Sequence, residues 1–174
     1  MGERPSQSDR GVTAALVAYN LILSALAVYM LVSIWPAGGP TAQADTLFGF
    51  AFSLGDEARI LWIVIIVGAI GSLVHSMTSL VSYVGSKKFV RSWTVWYLVR
   101  PIIGSSLALV FYFVFRGGLF APTTEASGVN LFGVAALSGL VGMFSKEAVD
   151  KLAEVFRTMF KSEEDTKRPN KLQG

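Results

Sequence analysis

Residues 60–84 read ILWIVIIVGAIGSLVHSMTSLVSYV. The run holds no Asp, Glu, Lys or Arg, and it exceeds the roughly 20 apolar residues a helix needs to cross about 30 Å of hydrocarbon. It therefore predicts a transmembrane helix. Yet it also contains the single histidine of the chain, His75, and a ladder of serines. Wound at about 100° per residue, the segment gathers Gly68, Ser72, His75, Ser76, Ser79, Ser82, Tyr83 and Ser86 on one face. Leu73, Val74, Met77, Leu80, Val81 and Val84 fall on the other. One side suits protein or water and the other suits lipid.

Working outward, similar apolar runs lie at about 12–35, 94–115 and 129–144. The last is short and rich in glycine, but Arg116 before it and Lys146 after it fit a crossing. The chain thus reads as an all-α membrane protein with four transmembrane helices in a domain spanning 12–145. Composition agrees, because 174 residues with 52% hydrophobic and 16% charged side chains are too apolar for an ordinary soluble domain. Cysteine is absent, which removes disulfides and thiolate chemistry. With one histidine as well, neither a metal site nor a cofactor is expected. The net charge of +3 is spread over short segments between apolar runs, so no nucleic-acid face is expected. The AQA of 42–44 resembles a signal-peptidase site, but the apolar run before it is longer than an h-region of about 7–15 residues, so that run reads as a retained span.

Orientation follows from lysine and arginine in short loops, which stay on the cytoplasmic side. The loop 85–93 holds Lys87, Lys88 and Arg91, and the segment after the fourth span holds Lys146, Lys151, Arg157, Lys161, Lys167, Arg168 and Lys171. The opposite loops, 36–59 and 116–128, hold Arg59 and Arg116 beside Asp45, Asp56, Glu57 and Glu125. Both termini, including the tail 1–11, are expected in the cytoplasm. Within the first outer loop, Phe48, Phe50, Phe52 and Leu54 alternate with small residues, a period of two that predicts a short extracytoplasmic β-like segment. A lone strand must pair with another segment or lie on the protein's outer surface, so an extracytoplasmic strand or hairpin packed on the helices is expected, with a re-entrant segment lining an entrance as the alternative.

Two uses compete for the serine face. The first is helix packing, since small residues let helices approach closely, with Gly68 facing Gly104 and Ala108 in the third span or Ala135, Gly139 and Gly142 in the fourth. The second is a water-filled path lined by Ser72, His75, Ser76, Ser79 and Ser82 in a homo-oligomer. Catalysis needs a nucleophile beside the imidazole. If the hairpin turns near Phe89, His75 lies level with about Ile103, and Ser105 and Ser106 come within one turn of it. No oxyanion motif accompanies them, so no enzymatic role is expected. Arg100, beside Pro101, suits an anchor that reaches headgroups or a ring at the inner mouth of a pore.

Residues 146–161 form an amphipathic pattern, with Val149, Leu152, Phe156, Met159 and Phe160 on one side. Should the fourth span continue into it unbroken, Ser138, Gly142, Val149, Phe156 and Phe160 share one side of a single long helix. Mixed acids and bases make a purely lipid-bound face less attractive than contacts within an oligomer or with a cytosolic partner. Residues 162–174 are expected to be disordered.

The segments TVWYLVRPIIGSSLALVFYFVFRGGLF and FSKEAVDKLAEVFRTMF resemble parts of small multi-span inner-membrane proteins of bacteria. That resemblance implies a bacterial inner-membrane location and brings no function or site residue with it. The leading expectation is a homo-oligomeric pore or ion channel with the polar face of the second span lining the path. The alternative is a non-catalytic membrane scaffold or accessory subunit whose C-terminal amphipathic helix docks a partner.

Overall fold

A computed structural model describes residues 7–36, 45–86, 88, 90–117 and 130–159. Helix α1 runs Gln7–Ile34, α2 Asp56–Gly85 and α3 Thr94–Arg116. They are 28, 30 and 23 residues long, about 35–45 Å at 1.5 Å per residue. These three are long and apolar enough to cross a membrane. Helix α4, Leu131–Met143, has only 13 residues, about 20 Å, and falls short of the hydrocarbon thickness. Helix α5, Ser145–Met159, follows at once but turns by 105°. Among the described residues there are thus three helices long and apolar enough to span a membrane, or four if the bent pair counts as one span. The single straight helix through Gly142, Val149 and Phe156 is not formed, because the direction changes at Phe144. The expected disordered tail, Phe160 and the loop around Glu125 lie outside the described residues, and so does the Met159 side chain.

Local chemistry accounts for the ends. Asp56 and Glu57 occupy the first turn of α2, where the helix dipole favours negative charge. Asn130 caps α4, its side-chain oxygen accepting from the N–H groups of Phe132 at 3.0 Å and Gly133 at 3.2 Å. Between α1 and α2, strands β1 (Asp45–Leu47) and β2 (Phe50–Phe52) pair antiparallel, with Asp45 opposite Phe52 and Leu47 opposite Phe50. Of the expected strand or hairpin, the alternating phenylalanines form the hairpin. Phe48 and Gly49 form its turn with φ of 51° and 83°, the positive values that a two-residue turn of this twist demands. Glycine accepts that geometry freely, whereas phenylalanine does not. Phe48 is held by its ring, 5.2 Å from that of Tyr29, and by its N–H, which donates to the Tyr29 hydroxyl at 3.0 Å.

Helix α2 is the axis of the molecule and packs against α1, α3 and α4. Ile63, Ile66, Ala27, Ile34 and Ala135 form a core where α1, α2 and α4 meet. Val64, Ala108, Phe111, Tyr112 and Val141 form another between α2, α3 and α4. Leu16, Leu80 and Tyr97 form a third, near the end that carries Lys88 and Arg91, called here the basic end. At the opposite end Arg116 pairs with Glu57 at 3.0 Å.

Candidate functional site

The polar face of α2 begins as a backbone contact. A Cβ added to Gly68 would lie 2.6 Å from the Ala108 Cβ and 3.0 Å from the Gly104 carbonyl oxygen. One added to Gly104 would lie 2.5 Å from the Ser72 Cβ. On the other flank, any side chain at Gly71 would run into the Gly139 carbonyl, and one at Gly142 into the Gly68 carbonyl. These glycines let α3 and α4 approach α2 backbone to backbone. Gly68, Gly104, Ala108, Gly139 and Gly142 thus meet as packing residues, and Ala135 is buried beside them. Gly71 was absent from the sequence reading, although its spacing from Gly68 matches that of Gly139 from Gly142.

The serines then divide by position. Ser72 is fully buried, and its hydroxyl donates to the Arg100 carbonyl at 2.8 Å. Ser76 is fully buried, and its hydroxyl has no hydrogen-bond partner among the described residues. Ser79 lies 3.5 Å from the Tyr97 hydroxyl. Ser82, nearer the basic end, is exposed. The opposite face is not uniformly lipid-like: Leu73 and Leu80 are both 1% exposed. The reason is the central place of α2, which three neighbours enclose over more than one stripe.

Helix register corrects the placement of His75. Ser72 bonds at Arg100, Ser79 approaches Tyr97, and the Ser105 hydroxyl donates to the Ile65 carbonyl at 2.9 Å. His75 therefore lies level with residues 97–100 and not with Ile103. Ser105, whose Cα lies beside Gly68, is about two turns or roughly 10 Å from that level, so the serine–imidazole pair is not formed. The cause lies in the connection, where extended Val90 and the 3₁₀ turn Arg91–Trp93 rise more per residue than an α-helix does. A given depth is thus reached at a lower residue number on α3. His75 is half-buried and lies within electrostatic reach of Arg100 on α3 and Glu147 on α5, beside the backbone of Met143.

Arg100 is 7% exposed. Its guanidinium carbon lies 4.1 Å from the centre of the Trp96 ring, a cation–π contact that partly replaces lost hydration. Its Nε has no partner among the described residues. Neither does the Oδ1 of Asn20, a fully buried side chain of α1 that the sequence reading passed over. Asn20, Ser76 and Arg100 each lie about one turn beyond Leu16, Leu80 and Tyr97 respectively, in the direction away from the basic end. Those three cluster together, so α1, α2 and α3 each place one buried polar residue at the same level. On α5, Val149 and Phe156 are exposed whereas Leu152 is half-buried.

No family model, curated protein or solved structure matches the chain.

Proposed function

We propose that the chain is a non-catalytic scaffold or accessory subunit of a bacterial inner membrane, with both termini cytoplasmic and the outward polar side of α5 offered to a soluble partner. One observation carries this reading: the hydroxyls of Ser72 and Ser76 are closed between helices of the same chain, where they serve packing and leave no open lining. Orientation rests on Lys88 and Arg91 at the basic end. The first turns of α1 share that end, because Val12 and Leu16 pack beside Leu80 and Tyr97. The α4–α5 elbow opens toward the same side, with Glu147 near His75.

The homo-oligomeric pore keeps one observation in its favour, since His75 is half-buried and Ser82 exposed. A path using them must bypass Ser72 and Ser76. Reconstitution into liposomes separates the two readings. The scaffold predicts ion flux no greater than that of empty vesicles. It also predicts a discrete heteromeric adduct when a photo-crosslinking residue replaces Asp150 in cells. Flux above background that falls with His75→Ala and Ser79→Leu, with no adduct at Asp150, would establish the pore instead.

A further inference from the structure

The sequence of α5 mixes acids and bases, but the helix sorts them by side. Taking Leu152 as the reference direction, Ala148 and Val155 lie along one edge at about 100° per residue, and all three are half-buried. Ala148 and Leu152 pack against the core that contains Val141 and Ala108. Val149 and Phe156 lie along the other edge, 50% and 52% exposed. Beyond that open edge come Lys146 and Arg157. Asp150, Glu154 and Glu147 share the far side, and Lys151, beyond the half-buried edge, pairs with Glu154 at 2.7 Å. Glu147, in the first turn beside the elbow, is still within electrostatic reach of Arg100.

Geometry supplies the surroundings. The 105° turn takes α5 off the line of α4, and Glu147 in its first turn, within electrostatic reach of Arg100, sets its start near the level of Arg100 and Trp96. An indole and a guanidinium seated together are side chains suited to headgroup depth. Next to them α3 exposes Val95, Val99 and Ile102 at 66%, 40% and 66%, an apolar wall of the kind that meets acyl chains. The exposed edge of α5 and this wall of α3 are thus both apolar and both lie toward the end that carries Arg100 and Trp96. Among the described residues two apolar side chains line that edge, too little for a stable contact between copies, which needs on the order of 1,200 Å² or more in total.

We infer that α5 is an in-plane anchor whose Val149–Phe156 edge enters the boundary of an anionic leaflet, with Lys146 and Arg157 reaching phosphate groups on either side of it. Apolar insertion and basic flanks are the two terms that bind such helices. The polar side stays in water, so this anchoring is independent of the docking role proposed above.

The chain contains no cysteine, so single-cysteine labelling is clean. Val149→Cys, Phe156→Cys, Asp150→Cys and Glu154→Cys are made separately in the full chain, labelled with bimane and placed in nanodiscs of phosphatidylcholine with or without phosphatidylglycerol. Brominated lipid is expected to quench the labels at 149 and 156 at least twofold more than those at 150 and 154. Adding Lys146→Glu and Arg157→Glu to Phe156→Cys should reduce that quenching in the anionic discs to the level seen in phosphatidylcholine alone. Equal quenching of all four labels by aqueous iodide, with none by bromolipid, would overturn the inference. Disulfide-linked copies through residue 156 without bromolipid quenching would replace it with self-association, and quenching indifferent to lipid charge would overturn the anionic preference. Either edge position alone suffices, so failure of one variant to fold leaves the test intact.

Discussion

Ser72 and Ser76 are one turn apart on the same helix face, equally buried, and chemically opposite in effect. The Ser72 hydroxyl donates at 2.8 Å to the Arg100 carbonyl, just before Pro101 in a helix that contains that proline. The Ser76 hydroxyl reaches no partner among the described residues. Hydrogen bonds between membrane helices contribute on average about 0.6 kcal/mol and at most about 2, while an unsatisfied buried hydroxyl costs about 1–3 kcal/mol relative to a bonded one. Ser72→Ala should therefore lower unfolding stability in micelles by about 0.5–2 kcal/mol, whereas Ser76→Ala should leave it unchanged or raise it. Denaturation followed by circular dichroism distinguishes the pair. A ladder of serines signals a protected face in the sequence, but which rung bonds depends on a neighbour's backbone. That neighbour is set by helix register, which residue spacing within one segment does not contain.

At the scale of elements, the hairpin β1–β2 shows how a turn overrides a pattern. Alternation from Phe48 to Leu54 fits a strand by period, yet the chain reverses at Phe48 and Gly49. Gly49 was the visible turn signal, and Phe48 concealed it, since a phenylalanine at positive φ is not expected from propensity. Tyr29 supplies what local sequence lacks, a ring and a hydroxyl from α1. Gly49→Val should cost about 1–3 kcal/mol through backbone strain, and amide exchange at Leu47 and Phe50, the pair that closes the turn, should accelerate while exchange in α2 stays slow. The long helices were legible because an apolar run of sufficient length has few alternatives in lipid. The elbow at Phe144 was not, because the apolar period runs on across it without a proline to mark the break.

For the whole molecule, α4 shows how far a short helix relies on backbone contact, although Ala135 and Val141 also join it to the two cores. Thirteen residues leave it little apolar side-chain surface, and its glycines meet the backbone of α2 directly. Gly142→Val places branched carbons where the Gly68 carbonyl lies, so α4 must move away from α2. The expected cost is about 1–3 kcal/mol from overpacking, read as a lower melting temperature in micelles together with faster proteolysis at the elbow, because α5 hangs from the end of α4. The candidate packing residues on α2, α3 and α4 were legible in the small-residue spacing. The contributions of Asn20 and Glu147 were not, since each lies on a helix whose placement depends on tertiary register. The sideways departure of α5 also shapes the body as a whole. A rod of 15 residues, about 22 Å long, extends from the elbow, whereas the end closed by Glu57 and Arg116 carries the smaller hairpin β1–β2. The two ends of the molecule therefore differ in outline, and in a bilayer they would take up unequal areas of the two monolayers.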